Sequence, residues 1–265
     1  MQTYCNNIYE QLESWYSKDN GQYLMGAARA ATQDLLDTSF GYHILQLGVT
    51  GARPLCHGSP INHRVYCAGS ARDGIGLVAD PSELPLESDS VDAIIAHHCL
   101  EFADNPHQVL REIQRVLTPQ GQLLIIGFNP YSLLGCNTRL RGIFRDPLWS
   151  QHRPLSERRL RDWLNLLGCE VLDVFRLYAL PPIGSGRLRQ LIVRGDEWTA
   201  RHDLLLGGMY IVHATKQVAG LNRPRRALRS RFISLVPKPA PLPVPVPQAP
   251  HSRKQPTKVK GNVTA

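Results

Sequence analysis

Residues 75–129 read IGLVADPSELPLESDSVDAIIAHHCLEFADNPHQVLREIQRVLTPQGQLLIIGFN, and this stretch decides how the chain folds. It holds three short apolar runs bounded by turn-forming residues, as buried parallel strands are. The runs are residues 75–79, 91–96 and 122–128. Between the last two, residues 106–117 place their apolar side chains on one face of a helix, with Asn105 as N-cap and Pro106 at the first position. A strand–helix–strand crossover predicts a parallel sheet covered by helices on both faces.

A series of short motifs runs through the same stretch. An acidic residue follows a strand, a Leu-Pro turn comes next, and a helix rich in charge ends shortly before a Pro-x-Gly turn. The residues are Asp80, Leu84, Pro85, Val91, Asp92, Leu100, Glu112, Arg115, Leu117, Pro119 and Gly121. With them the stretch resembles the middle of small class I S-adenosylmethionine (SAM)-dependent methyltransferases. The resemblance implies a Rossmann-like, seven-stranded α/β sheet with helices on both faces and a final antiparallel pair of strands.

Helical spacing at the start, the family resemblance in the middle and the composition of the end divide the chain into three predicted parts. Residues 1–21 form an N-terminal helical cap, residues 22–217 the methyltransferase-fold domain, and residues 218–265 a basic, proline-rich, disordered tail. Residues 221–265 hold ten Lys and Arg and no acid, so of the net charge of +8 the tail carries +10 and the rest −2. Alternating proline gives the tail no means to build a core. Two roles stay open for it: weak contact with nucleic acid or an anionic surface, or simple solubilisation.

Several classes of protein are disfavoured. No apolar run approaches the ~20 residues of a membrane-spanning helix, and the first residues lack the pattern of a secretion signal. The six cysteines form no framework of regular spacing, which is typical of a reduced, cytoplasmic protein. Zinc-ligand residue types cluster between Cys56 and Cys67, but their spacing fits no common zinc motif, so no metal site is predicted. The oligomeric state is not indicated.

The resemblance implies SAM as cofactor and places it at the ends of the first three strands. The candidate residues are Gln46, Gly48, Gly51, Asp80, Pro81 and Ser82. In the family an acid precedes a glycine-rich turn that cradles the cofactor, whereas Gln46 stands here and only two of the glycines remain. Asp80 would accept a hydrogen bond from the adenine amino group, with Pro81 and Ser82 as neighbouring contacts.

The segment after this turn departs from the family. Residues 52–63, ARPLCHGSPINH, contain two prolines and a glycine, which disfavour a regular helix. The second predicted strand, residues 64–68, ends at Ala68 and Gly69, where the family usually has an acid that holds the ribose hydroxyls. This half of the nucleotide site is therefore expected to be reduced or rebuilt.

His97 and His98 end the fourth predicted strand, where ligands meet parallel sheets. A neutral histidine can accept a proton near neutral pH, so either residue is a candidate general base. Alternation along a strand points the two side chains in opposite directions, which predicts that at most one faces the site. They are otherwise explained as satisfied polar residues at a strand end.

Three functions remain open. The first is SAM-dependent methyl transfer to a small molecule, the second a catalytically silent methyltransferase fold that only binds, and the third an RNA-associated methyltransferase that uses its basic tail. A nicotinamide-dependent oxidoreductase is disfavoured because the glycine pattern does not resemble that family. The arginine-rich segment 139–161 either lines a pocket for an acidic substrate or forms the solvated side of two helices.

Overall fold

The structure is a computed structural model. It describes residues 2–49, 54–71, 74–144, 146–177, 207–217 and 229–233, with the backbone alone for residues 2–7, 19, 20 and 229–233. The strands are β1 (His43–Gly48), β2 (His63–Ala68), β3 (Leu77–Val78), β4 (Val91–His97), β5 (Leu117–Phe128), β6 (Cys169–Leu177), β7 (Met209–Lys216) and β8 (Arg229–Ile233). The helices are α1 (Gln2–Tyr16), α2 (Asp19–Leu36), α3 (Pro106–Val116), α4 (Leu133–Ile143) and α5 (Glu157–Leu166).

One sheet with the order β3-β2-β1-β4-β5-β7-β6-β8 organises the described chain. Strands β1 to β5 run parallel, and β7 runs antiparallel to both of its neighbours, β5 and β6. The predicted α/β, Rossmann-like methyltransferase sheet with its final antiparallel pair is confirmed. Beyond the seven expected strands, β8 pairs with the outer side of β6 in parallel. This strand lies within the segment 218–265 that the sequence assigns to the tail, so those five residues are strand.

The two faces of the sheet carry two separate apolar layers. Helices α1 and α2 cover one face, and helices α3 and α5 cover the other. Strand β4 supplies both layers by alternation, with Ile95 facing α1 and α2 and Ile94 facing α3 and α5. Because both faces of the central strands are covered, their sequences read as continuous apolar runs, as expected.

Helix α3 follows its sequence signals closely at the start. The side chain of Asn105 accepts a hydrogen bond from the N–H of Gln108, and Pro106 occupies the first turn. Val109, Leu110 and Ile113 are buried against the sheet. The helix ends at Val116 and β5 begins at once, five residues earlier than predicted, because the backbone of Leu117 already pairs with β4.

The connection between β1 and β2 contains a single 3₁₀ turn, Leu55–Gly58, in its described part. The sequence predicts that no regular α-helix forms there. Strand β3 is also short, since only Leu77 and Val78 pair with β2 where five residues were expected. Among the described residues, this edge of the sheet therefore has little regular structure.

Helices α1 and α2 meet at a tight junction. A Cβ atom at Gly21 would lie 2.5 Å from the carbonyl oxygen of Trp15, so a larger residue would force the two helices apart. Ile8, Leu12 and Tyr16 of α1 are buried over the carboxyl ends of the central strands. Within the described residues, no helix is long and apolar enough to cross a membrane.

Candidate functional site

The strand order reverses between β1 and β4, and ligands of such sheets bind in the crevice at the carboxyl ends of these strands. Gly48 ends β1 there with a φ of 89°, and a Cβ atom on it would lie 2.1 Å from the carbonyl oxygen of His97. The N–H of Val49 donates to that oxygen at 3.1 Å. Only glycine permits this approach, so Gly48 joins the two strand ends. Gly51, its predicted companion, lies outside the described residues.

Gln46 is fully buried and supports the loop that leaves β1. Its amide nitrogen donates to the carbonyl of Val49 at 2.8 Å, while its amide oxygen accepts from the N–H groups of Leu55 and Cys56 at 2.9 and 3.3 Å. A carboxylate could not make the first of these bonds because it has no donor. These three bonds explain why glutamine suits this position. They hold its side chain against the loop that follows β1.

A cavity of about 340 Å³ opens at the carboxyl ends of β2, β3 and β4. The predicted contacts Asp80, Pro81 and Ser82 line one wall together, whereas Gln46 and Gly48 are not among its lining residues. The other described residues of the wall are Tyr9, Gly69, Val78, Ala79, Cys99, Phe102, Ala103, Asp104, Asn105 and Val109. The cavity thus combines an apolar body with a few polar groups, as small-molecule sites do.

Asp80 is held in a fixed orientation at the mouth of this cavity. Its Oδ1 atom accepts hydrogen bonds from the N–H and the hydroxyl of Ser82, at 2.8 and 2.7 Å. The sequence did not single out Asp104, which brings a second carboxylate to the lining. Arg153 binds the carbonyl of Asp104 at 2.6 Å and approaches its carboxylate at 3.4 Å. Gly69 stands at the end of β2, so that strand contributes no acid to the wall.

His97 and His98 do not point in opposite directions as predicted. Their rings lie 4.7 Å apart and both approach the ring of Tyr16, at 5.6 and 5.8 Å. The reason is local: β4 ends at His97, and His98 has a φ of 56°, so strand alternation no longer applies. Both side chains therefore gather beneath α1.

A buried chain of hydrogen bonds passes through His98. Its Nδ1 atom lies 2.6 Å from Oε2 of Glu101, and its Nε2 atom lies 2.6 Å from the hydroxyl of Tyr16. The other oxygen of Glu101 accepts the N–H of Phe128 at 2.6 Å and lies 3.5 Å from Nε2 of His152. All of these side chains are buried.

Glu101 and Tyr16 have opposite protonation tendencies. Burial would raise the pKa of Glu101, but hydrogen bonds from His152 and His98 lower it to about 2, so the carboxylate is ionised. Burial, assisted by the charge of Glu101, raises the pKa of Tyr16 well above its usual value. Tyr16 therefore remains a neutral phenol.

This arrangement accepts either protonation state of His98 without losing a bond. The neutral ring donates from Nδ1 to Glu101 and accepts the hydroxyl proton of Tyr16 at Nε2. The protonated ring donates from both nitrogens, and the Tyr16 hydroxyl can then donate to Sδ of Met209, 3.7 Å away.

His97 has a different character. Its Nδ1 atom lies 2.9 Å from the carbonyl of Val49 and donates to it. Its Nε2 atom is buried and has no hydrogen-bond partner in the described part of the chain. Burial and neighbouring His98 lower the pKa of His97 to about 3. The ring is neutral at physiological pH and offers a buried acceptor that lacks a donor.

Part of the arginine-rich segment lines a second cavity, of about 530 Å³, beside the N-terminus of α5. Arg158 and Arg161 face it together with Arg176 of β6. Glu157 binds both Arg161 and Arg176, the latter through contacts of 2.8 and 3.0 Å. The arginines of α4 lie elsewhere and are exposed.

Cys56 and Cys67, which bound the cluster of zinc-ligand residue types, pack in the apolar layers of the protein. Both thiols are buried, and burial raises the pKa of each to about 11. His63 approaches His43 at 2.7 Å between their Nδ1 atoms. No group of three or more metal-ligand side chains occurs within the described ranges.

Comparison with known proteins confirms the resemblance. A family model described as "Methyltransferase domain" matches residues 61–125. The uncharacterized protein YafS of Escherichia coli is 35% identical over 142 residues, which cover 54% of this chain and 58% of YafS. Demethylmenaquinone methyltransferase of Mycobacterium tuberculosis is 27% identical over 126 residues, 46% of this chain and 54% of that enzyme. The chain therefore spans less than two thirds of these relatives.

Solved structures share the fold. A SAM-dependent methyltransferase from Thermotoga maritima, described as a possible histamine N-methyltransferase, superposes with a TM-score of 0.59 at 19% identity, covering 82% of this chain and all of that one. A putative methyltransferase of Haloferax volcanii, solved with its Trm112 activator, gives 0.54 at 18% identity and covers 78% and 98%. In sequence and in fold, the chain resembles class I SAM-dependent methyltransferases.

Proposed function

We propose that this protein is a SAM-dependent methyltransferase that acts on a small molecule in a reducing, cytoplasmic compartment. The observation that carries the proposal is the position of the Tyr16–His98–Glu101 chain. It lies at the carboxyl end of β4. Cys99 and Phe102, which directly follow His98 and Glu101 in the sequence, line the 340 Å³ cavity. A proton-accepting group and a ligand cavity therefore adjoin each other.

The described residues fit the cofactor in several respects. Asp80, oriented by Ser82, would accept the adenine amino group, and Pro81 with Phe102 supplies apolar surface for a planar ring. Asp104 is a second acceptor for hydroxyl or amino groups. The Nε2 atom of His97, at the end of β4, has no hydrogen-bond partner among the described residues, and a ligand donor that reached it would satisfy this buried acceptor. Bound SAM would supply a methyl group already activated by its sulfonium.

The protein's part in the reaction is then alignment and removal of a proton. In the proposal, His98 receives the proton that an oxygen or nitrogen nucleophile loses, and the ionised Glu101 stabilises the resulting imidazolium. Phe128, through its N–H and its ring stacked 4.1 Å from His98, holds both partners in place. Tyr16 covers Nε2 in this structure, so it either relays the proton or moves aside with α1.

One observation favours a second candidate, a silent fold that only binds ligands. Gln46 replaces the family's acid and bonds to backbone groups of Val49, Leu55 and Cys56, and Gly69 follows β2 without an acid, so two of the family's usual cofactor contacts are lacking among the described residues. Ligand titration separates the two candidates.

The test is calorimetric titration of S-adenosylhomocysteine into the wild type, Asp80→Ala and the control Asp162→Ala, an exposed residue of α5. Loss of one hydrogen bond to a buried donor costs ~1–3 kcal/mol, so Asp80→Ala should weaken binding about five- to 150-fold and the control should not. Equal binding by folded Asp80→Ala would contradict the placement of adenine. Absence of binding to wild type would contradict the enzyme proposal altogether.

A further inference from the structure

Helix α4 packs on the protein through its small residues. Gly135 and Thr138 are buried and Gly142 is half-buried. Added Cβ atoms at Gly135 and Gly142 would lie 2.1 Å from the carbonyl oxygen of Asn129 and 2.6 Å from that of Trp149. This face therefore sits directly against backbone and leaves no room for larger side chains.

The opposite face of α4 carries large apolar side chains that are open to solvent. Leu133, Leu140, Ile143 and Phe144 are 70, 52, 70 and 78% exposed. At 3.6 residues per turn the first three of these positions fall on one side of the helix. Phe144 follows them as the C-terminal cap, and Tyr131, 75% exposed, precedes the helix. A surface helix ordinarily turns its apolar stripe to the core. Here the pattern is reversed, which indicates an external partner.

The charges around this face show what kind of partner it fits. Arg139 and Arg141 flank Leu140 by about 100° on either side, and both are exposed. The helix sequence LLGCNTRLRGI contains no acid. An apolar stripe bordered by arginines, whose long stems let their charged heads reach outward, matches a partner that offers apolar surface beside negative charge, as an anionic lipid–water interface does.

We propose that the exposed face of α4 docks on an anionic lipid membrane, with Leu140, Ile143 and Phe144 inserted at the boundary of headgroups and acyl chains. Arg139 and Arg141 would then lie among anionic headgroups. Residues 221–265, with ten basic and no acidic residues, supply a second electrostatic attraction to the same surface, and stable interfacial binding usually needs two such signals. The proposal does not depend on methyl transfer.

The experiment is flotation of the full-length protein with vesicles of phosphatidylcholine, alone or mixed with phosphatidylglycerol. Wild type should bind the mixed vesicles far better. Leu140→Gln/Ile143→Gln/Phe144→Gln should partition about a hundredfold less, because three apolar side chains no longer leave water. The matched control Phe40→Gln/Leu166→Gln, whose wild-type side chains are 89 and 85% exposed elsewhere, should bind like wild type.

A second variant tests the charges without altering any apolar contact. Arg139→Gln/Arg141→Gln should bind mixed vesicles about 30-fold less tightly than wild type, with circular dichroism confirming that each variant folds. Undiminished binding by both α4 variants would overturn the proposal and leave the tail as the attachment. Failure of wild type to bind would also overturn it, as would a dimer in light scattering that the triple variant dissociates, since the face would then cover a second copy.

Discussion

The carboxyl ends of β1 to β3 and those of β4 and β5 form neighbouring parts of one sheet edge, yet they differ in their residues. On the first side there is little regular structure in the described residues: a 3₁₀ turn at Leu55–Gly58, a two-residue β3, and Gly69 directly after β2. On the second side lies a buried network in which both carboxylate oxygens of Glu101 and both ring nitrogens of His98 have hydrogen-bond partners. A cavity can still form when the strands and turns that line it are short. A buried charge, by contrast, is stable only when all of its hydrogen-bond partners are present.

The largest expected effect comes from Glu101. In Glu101→Gln the amide can no longer accept from both His98 and the N–H of Phe128, and it buries an NH₂ group among donors. Disrupting a buried charged network by removing one partner typically costs ~3–5 kcal/mol. Urea unfolding at neutral pH should show a loss of this size. The control Glu112→Gln, on a partly exposed carboxylate paired with Arg115 at 2.8 Å, should lose under ~1 kcal/mol. Similar losses in both variants would show that the buried network of Glu101 contributes no more to stability than a partly exposed ion pair.

Gly48 lies where the ends of β1 and β4 meet, so Gly48→Ala tests the contact between the two parts of the sheet edge. Alanine there combines a positive φ with a clash against His97, so the free energy of unfolding should fall by ~3 kcal/mol. Gly74 makes a matched control, since its φ is 83° but a Cβ atom would meet nothing within 4 Å. Gly74→Ala should cost only the backbone strain, ~1–2 kcal/mol. Both values come from urea denaturation, and equal costs would mean that the strand ends separate without penalty.

The role of His98 is tested by kinetics. His98→Asn should lower turnover about 100-fold, since a positioned general base contributes that much or more, while affinity for S-adenosylhomocysteine stays unchanged. The measurement is release of S-adenosylhomocysteine in the presence of a methyl acceptor. His107→Asn, an exposed histidine of α3, should behave as wild type. Parallel loss of binding and turnover would assign His98 a structural part.

The smallest effect concerns acid stability. Burial lowers the pKa of His97 from 6.5 to about 3, so below pH 6.5 the unfolded chain binds a proton that the folded ring refuses. Stability should therefore fall by ~2 kcal/mol between pH 7 and pH 5 from this residue. Glu101 adds nothing in that range, because its lowered pKa costs stability only as the pH falls below 4.5 towards 2.

The comparison is wild type against His97→Asn by urea unfolding at both pH values. The asparagine side chain cannot bind a proton, so the loss of stability between pH 7 and pH 5 should be ~2 kcal/mol smaller in the variant than in the wild type. His213, whose pKa burial also lowers, acts in the same direction in both proteins and cancels. An identical pH dependence would show that His97 is solvated.

Much of the fold is readable because it depends on local patterns. The apolar runs of β4 and β5, the cap at Asn105 and the absence of an α-helix from the described part of the β1–β2 connection each follow from the properties of neighbouring residues. Asp80, Pro81 and Ser82 are likewise adjacent in sequence, so their shared place in the cavity wall needed only the end of β3 to be located. The absence of an acid at the end of β2 is visible directly in Ala68 and Gly69.

The network at the other side was not readable in this way. Tyr16 and His98 are 82 positions apart, and His98 points beside His97 only because its φ is positive. Glu101 had no sequence signal of its own beyond an acid three residues after a histidine. Gln46 was expected at the cofactor, whereas its partners are backbone groups of a loop whose path the sequence does not reveal.

The sequence by itself determined the strands, the crossover helix, the class of sheet and the acid at the end of β3, since these follow from periodicity, capping and composition over a few residues. Only the tertiary structure decided which buried polar groups meet, and that the apolar side of α4 faces outward. The physical reason is that hydrogen bonds and close backbone contacts are satisfied across the chain, between residues whose distance in sequence carries no information about their distance in space.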